Sequence, residues 1–168
     1  WQLPSGTRSE VIDGEIASLL YRSGCRNLSY APESGSPKVL ANIKKQIDID
    51  NMLTSMRACV RNGLSVKANL MCGFPEETVT DLWHSYKFAM RTAVAGIDDI
   101  SVNQFSPYPG SELFNELLKG GRVQLNEKYF RELSYYSSMT RSTSYSEHLS
   151  PKVILFFKLF LTFSFYLL

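Results

Sequence analysis

An α/β fold with a parallel sheet follows from two features of the sequence. Amphipathic helical stripes alternate with short, β-prone apolar runs, and a glycine closes each stripe. Three Gly/Pro loops, Pro32-Glu33-Ser34-Gly35-Ser36, Gly73-Phe74-Pro75-Glu76-Glu77-Thr78 and Pro107-Tyr108-Pro109-Gly110-Ser111, each follow such a run and precede a helical stretch. In a repeating β-loop-α chain, loops of that kind lie at the carboxyl edge of the sheet. Three loops distant in sequence therefore converge on one mouth, where such folds do their chemistry.

The elements read in order. Ile12, Ile16, Leu19 and Leu20 keep helical spacing before Gly24, and the run Asn27 to Ala31, with Leu28 and Tyr30, follows as a strand. Ile49, Met52, Leu53, Met56, Cys59 and Val60 form a second stripe, which stops at Gly63 and leads into a strand from Ser65 to Cys72. A third stripe (Val79, Leu82, Trp83, Tyr86, Met90, Val94) stops at Gly96 before a strand from Ile97 to Phe105. Leu113, Phe114, Leu117 and Leu118 make a shorter stripe that ends at Gly120-Gly121. The unit of helix, Gly, strand and loop recurs every 33 to 39 residues, the size of a βα repeat. A three-layer sandwich and a (β/α) barrel both fit.

Composition bounds the function. The chain of 168 residues is enough for one ordinary domain, and its 18 basic and 16 acidic side chains nearly cancel. There is no electrostatic case for a nucleic-acid partner. The three cysteines, Cys25, Cys59 and Cys72, are separated by 33 and 12 residues, which matches neither a disulfide framework nor a common metal motif. Reduced thiols and a cytoplasmic setting follow, and no metal ligand is assigned. His84 and His148 have no carboxylate or serine partner at recognisable spacing, so a hydrolase triad has no support.

The carboxyl-terminal end differs in kind. Residues 1–131 read as the domain, 132–151 as a Ser/Thr/Tyr-rich linker, and 152–168 as a hydrophobic tail helix broken only by Lys158, Thr162 and Ser164. That tail is short of the ~20 apolar residues that span a bilayer. It is either a truncated membrane-associating helix or a buried helix cut off from its cover, which leaves membrane contact through the tail open.

The three loops, in this order, resemble a family. Tyr30-Ala31-Pro32-Glu33-Ser34-Gly35-Ser36, followed by Val39-Leu40 and Lys44-Lys45, resembles the fourth-strand region of radical S-adenosylmethionine enzymes. Lys67-Ala68-Asn69-Leu70-Met71-Cys72-Gly73-Phe74-Pro75-Glu76-Glu77-Thr78 resembles their fifth strand and its loop, and Gln104-Phe105-Ser106-Pro107-Tyr108-Pro109-Gly110-Ser111 their sixth. The nearest subgroup is the cobalamin-binding type, which includes the anaerobic Mg-protoporphyrin ester cyclases.

The resemblance implies a partial TIM-type (β/α) barrel, of which this chain holds the last three to four βα units, with a missing amino-terminal half of the barrel. It implies S-adenosylmethionine lying across the strand tops, a [4Fe-4S] cluster that cleaves it to a 5′-deoxyadenosyl radical, a small-molecule substrate, and cobalamin in an upstream domain. The chain departs from the family in lacking its C-x3-C-x2-C triplet and its second-strand Gly-Gly-Glu segment. Thiolates hold iron–sulfur clusters, so the isolated chain is expected to carry no radical chemistry.

The resemblance carries cofactor binding to Glu33, Ser34, Lys45, Asn69, Gly73, Phe74, Pro75, Gln104 and Tyr108. Glu33 would accept from ribose hydroxyls or meet the amino-acid end of the ligand; its alternative is capping of the next helix. Lys45, with Lys44 beside it, would meet the carboxylate, and otherwise is a solvated helix-end lysine. Asn69 is a polar residue in a core-like strand and needs a partner, whether ligand or protein. Thr78 and Asp81 look like a capping box that follows the Gly73 loop. Tyr108 would stack on a ligand or on the adjoining loop. Two rivals remain: a (β/α) lyase or isomerase with a Schiff-base Lys67 or Lys45, and a degenerate, non-catalytic binding protein associated with membranes.

Overall fold

A computed structural model describes residues 1–4 and 11–168. The strands are β1 (Gln2–Leu3), β2 (Asn27–Glu33), β3 (Ser65–Cys72) and β4 (Asp99–Gln104). They form one four-stranded sheet in the order β1-β2-β3-β4, with every neighbouring pair parallel. The helices are α1 (Gly14–Arg22), α2 (Pro37–Asn42), α3 (Ile49–Arg61), α4 (Val79–Val94), α5 (Glu112–Lys119), α6 (Glu127–Leu133) and α7 (Pro151–Tyr166).

Side chains alternate cleanly across the strands, as the pleat requires. Leu28 and Tyr30, then Val66, Ala68, Leu70 and Cys72, then Ile100 and Val102, are buried on one face. Helices α3, α4 and α7 pack on that face and close the main core with Met52, Leu53, Met56, Phe88, Ile154 and Leu161. The Tyr30 hydroxyl, deep in this core, lies 2.8 Å from Ser55 Oγ and 3.2 Å from Cys59 Sγ. A second cluster, built on Val39, Phe74, Phe105, Phe114, Leu117 and Tyr129, sits under the loops at the carboxyl edge.

Local signals account for the helix boundaries. Asp13, Ser36, Asp48, Thr78, Ser111, Asn126 and Ser150 each cap a helix by accepting a backbone N–H. At α4 the Thr78 and Asp81 side chains exchange bonds with each other's backbone in the reciprocal box expected from the sequence. Gly63 ends α3 at φ +81, a conformation that lets the chain turn straight into β3.

The structure also differs from the sequence reading. The third expected strand begins at Asp99 rather than Ile97, because the Asp98 backbone N–H and carboxylate are engaged by Val66 at the entry to the sheet. β1, α2 and α6 are short elements that the periodicity does not reveal. The stretch at 152–168 does not stand apart. It forms α7, packed against β4 and α4, with Ile154, Phe157, Leu161 and Phe165 buried. The stretch before it buries Tyr145 and Leu149 and lies along β4 through Gln104 N–H to Tyr136 O at 2.9 Å. Among the described residues, no helix is long and apolar enough to cross a membrane.

Candidate functional site

Helices cover one face of the sheet and leave the other open. The open face is a grid of partly exposed residues: Ser29 and Ala31 on β2, Lys67, Asn69 and Met71 on β3, and Asp99, Ser101 and Asn103 on β4. Parallel register sets Lys67 beside Asp99, Asn69 beside Ser101 and Met71 beside Asn103. Lys67 and Asp99 are ion-paired at 2.8 Å. Parallel sheets are ordinarily covered on both faces by apolar layers, whereas among the described residues this second face is largely polar and only partly covered.

At the carboxyl rim the sequence bends β2 on purpose. Pro32 cannot donate to the ladder, and the β2–β3 register shifts between Tyr30 and Glu33. Glu33 then adopts φ +62, a left-handed conformation that non-glycine residues rarely hold. Its carboxylate meets Lys45 Nζ at 3.1 Å, and Lys44 beside it sits at φ +57. Tyr136 completes the rim. Burial first, then the charges of Glu33 and Tyr108, push its hydroxyl pKa up, while a hydrogen bond from Asn103 works the other way. The open face, Glu33, Lys45 and Tyr136 thus form one polar site.

The Gly73 loop stands next to it and is held from inside. Glu77 is 1 % exposed, and its Oε2 accepts from Gly73 N–H at 2.5 Å and Phe74 N–H at 3.2 Å. Burial drives its pKa up to about 7, against the pull of those two N–H groups and with the help of the nearby Asp81 charge. Its Oε1 has no partner, and neither does the buried Ser106 Oγ. Two adjoining hollows of about 420 and 210 Å³ open between α2 and α5, sharing Asn42, Ile43, Leu113 and Glu116. Ser106 and Tyr108 line the larger, and Phe74 and Glu77 the smaller. Residues of the Gly73 and Pro107 loops line these hollows, whereas the first loop does not reach them: its Ser34, Gly35 and Ser36 are buried against α4 through Ser85 and Asp81.

The residues expected from sequence divide. Glu33, Lys45 and Asn69 reach the open face or its rim, and Pro75 and Tyr108 reach the hollows, while Gly73 is buried against Ile154 of α7 with its N–H donated to Glu77. Ser34 does not: it is fully buried, sharing a 3.0 Å bond with Ser85 Oγ and accepting from Ser36 N–H. Gln104 points to the covered side, where its Oε1 accepts from Ser142 Oγ at 2.8 Å and Thr143 N–H at 3.2 Å, and its Nε2 is left over. Phe74 packs 5.1 Å from the Phe105 ring in the second core.

Three further residues belong to the site. Asn103 was legible by the alternation that marks Asn69, and Glu77 by its place four residues after Gly73. Tyr136 carries no sequence signal, because only the return of the chain along β4 brings it there. Among the described residues, no group of three His, Cys, Asp or Glu side chains could hold a metal ion. Cys25, Cys59 and Cys72 are each buried, and burial raises the Cys59 and Cys72 pKa values.

No protein-family model matches the chain. It is similar to the cytidylyl-2-hydroxyethylphosphonate methyltransferase of Streptomyces wedmorensis, 30 % identical over 138 residues that cover 78 % of this chain and 25 % of that protein. It is also similar to the anaerobic magnesium-protoporphyrin IX monomethyl ester cyclase of Rubrivivax gelatinosus, 24 % identical over 77 % of this chain and 23 % of that protein. The fold resembles an Elp3 from Methanocaldococcus infernus, with a TM-score of 0.57 and 16 % identity over 85 % of this chain and 33 % of that one. The chain spans about a quarter of the length of these curated relatives. Together the likenesses support the radical S-adenosylmethionine superfamily, to which the three loops point.

Proposed function

We propose that this chain forms the S-adenosylmethionine-binding wall of a radical S-adenosylmethionine enzyme. The observation that carries the reading is the uncovered polar face of a parallel sheet, ended by a left-handed Glu33. Strain of that kind persists where a site requires it. The sequential strand order supports an arc of a (β/α) barrel, with the open face turned inward. In this reading Glu33 accepts hydrogen bonds from the ligand's hydroxyl or ammonium groups, and Lys45 attracts its carboxylate. Asn69, Asn103 and Tyr136 supply neutral polar contacts. The Gly73 and Phe74 N–H groups are taken by Glu77, so the loop would meet the adenine through Pro75, and Tyr108 flanks the mouth.

Bound S-adenosylmethionine would supply the adenosyl radical precursor, and a [4Fe-4S] cluster is the group that cleaves it. The described residues do not fit that cluster, since three separately buried thiols cannot ligate one. Cobalamin belongs, on the resemblance, to another domain, and none of these residues is assigned to it. For the whole protein we propose methyl transfer or ring closure on a small molecule, as the names of the relatives suggest, in the cytoplasm, where free thiols such as these stay reduced. The Schiff-base rival gains nothing: Lys67 and Lys45 are each committed to a carboxylate rather than standing in a desolvated apolar pocket.

Equilibrium dialysis of the folded chain against labelled S-adenosylmethionine tests the reading. Saturable binding that Tyr136→Phe and Asn103→Ala each weaken is the expected result. Binding that neither substitution touches would sink it.

A further inference from the structure

The outer surface of α7 has no polar side. Its covered face is Ile154, Phe157, Leu161 and Phe165, yet Val153, Phe156, Phe160 and Phe163 repeat at the same helical spacing on the opposite, exposed face. A surface helix normally turns polar residues outward. Here the rings continue onto α4. Trp83 stacks on Tyr86 at 4.8 Å, Tyr86 on Phe160 at 5.0 Å, and Phe160 on Phe156 at 5.7 Å. Between the helices lies an apolar groove of about 430 Å³ lined by Val79, Leu82, Trp83, Val153, Phe156 and Phe160. A contiguous apolar surface of this kind marks a binding face.

The exposed charges that the two helices themselves set beside it are of one sign. Lys87 lies 6.0 Å from the Trp83 ring, and Lys152 stands one turn before Phe156. Neither helix exposes a carboxylate: α7 has none, and the single acid of α4, Asp81, is buried in the capping box. A second copy of the chain would bring cations against cations in a two-fold interface, with no acid on the face to pair them. An anionic lipid surface meets both the rings and the lysines. At 16 residues α7 is about 24 Å long, short of the ~30 Å hydrocarbon core, so it would lie in the plane of the bilayer. We propose that the α4–α7 face docks the protein on an anionic membrane, with Phe156, Phe160 and Phe163 among the acyl chains and Lys87 and Lys152 at the headgroups.

The experiment uses the full chain carrying Trp1→Phe, which leaves Trp83 as its one tryptophan. It is mixed with vesicles of phosphatidylglycerol and phosphatidylcholine, or of phosphatidylcholine alone, and far-UV circular dichroism verifies folding. The chain should sediment with the anionic vesicles and far less with the neutral ones, and Trp83 emission should move to shorter wavelength. Phe156→Asp and Phe163→Asp, both at exposed positions, should weaken binding by at least about tenfold. Lys87→Gln and Lys152→Gln should each cost about fivefold. Absence of binding to anionic vesicles by the folded chain would overturn the proposal. So would a chain that self-associates in ultracentrifugation through Phe163 and ignores vesicles, which would give the face to a second copy.

Discussion

Glu33 closes β2 with its carboxylate 3.1 Å from Lys45 Nζ while its own backbone is held at φ +62. The pair is a fifth to a third exposed, so it contributes little to stability, whereas the backbone costs on the order of 1 kcal/mol for a residue with a Cβ. Glu33→Gly should therefore raise the unfolding free energy by about 1 kcal/mol and weaken S-adenosylmethionine binding by about tenfold, the worth of a charge-assisted hydrogen bond. Chemical denaturation and dialysis measure the two effects on one variant. A purely structural Glu33 would leave ligand binding alone.

Glu77 makes stability depend on pH. Its folded pKa, about 7, lies above the ordinary 4.5, so the native state holds the proton more tightly than the unfolded chain. The stability this contributes is present below pH 4.5 and is lost as pH rises through 7. Glu77→Gln keeps an acceptor for Gly73 and Phe74 and does not ionise. Its stability relative to the native sequence should rise by roughly 3 kcal/mol between pH 4 and pH 8. Parallel denaturation curves at the two pH values check this, and a constant difference would show that the carboxyl does not titrate in the fold.

Gly35 admits no side chain. A Cβ there would stand 2.6 Å from His84 O and 2.8 Å from both Ser85 Cα and Phe88 Cβ, where α4 crosses the β2 loop. Because the obstacles include backbone, the helix itself must move. Gly35→Ala should cost about 2–3 kcal/mol, seen as a lower melting temperature. A melt within a degree or so of the native one would mean that α4 yields more easily than its packing indicates.

Lys158 ties the returning segment to the core. It is fully buried on α7, donates to Ser138 O at 2.6 Å and Tyr136 O at 3.4 Å, and has its pKa lowered by burial. Lys158→Met removes a buried charge of similar shape, so global stability should change little. The two carbonyls lose their donor, however, and the segment that presents Tyr136 should loosen. Trypsin should then cut at Arg141 roughly tenfold faster, and an unchanged rate would mean that other contacts hold the segment.

Much of the fold was legible in the sequence. The stripes that end at Gly24, Gly63 and Gly96 and the strands after them appear as α1, α3, α4 and β2 to β4, because amphipathic period and glycine caps are local signals. So are the loops, which is why the sequence alone marks Glu33, Asn69, Gly73 and Tyr108 as candidates. Gln104 and Ser34 were misplaced for a physical reason. A polar residue in a strand looks the same whether it faces a ligand or a returning loop, and here Ser142, Thr143 and Ser85 take up their hydrogen bonds. The role of α7 was hidden in the same way, since apolarity alone does not say whether lipid, partner or core covers a helix.

The central claim is that the open sheet face and its rim take an adenosyl ligand. Backbone amide chemical shifts of the isotopically labelled chain, followed as S-adenosylmethionine is added, test it most directly. The account predicts saturable movement of Asn69, Gly73, Phe74, Asn103 and Tyr136, with the α1 and α3 amides still. Shifts confined to the helical side of the sheet, or none at all in a folded chain, would contradict it.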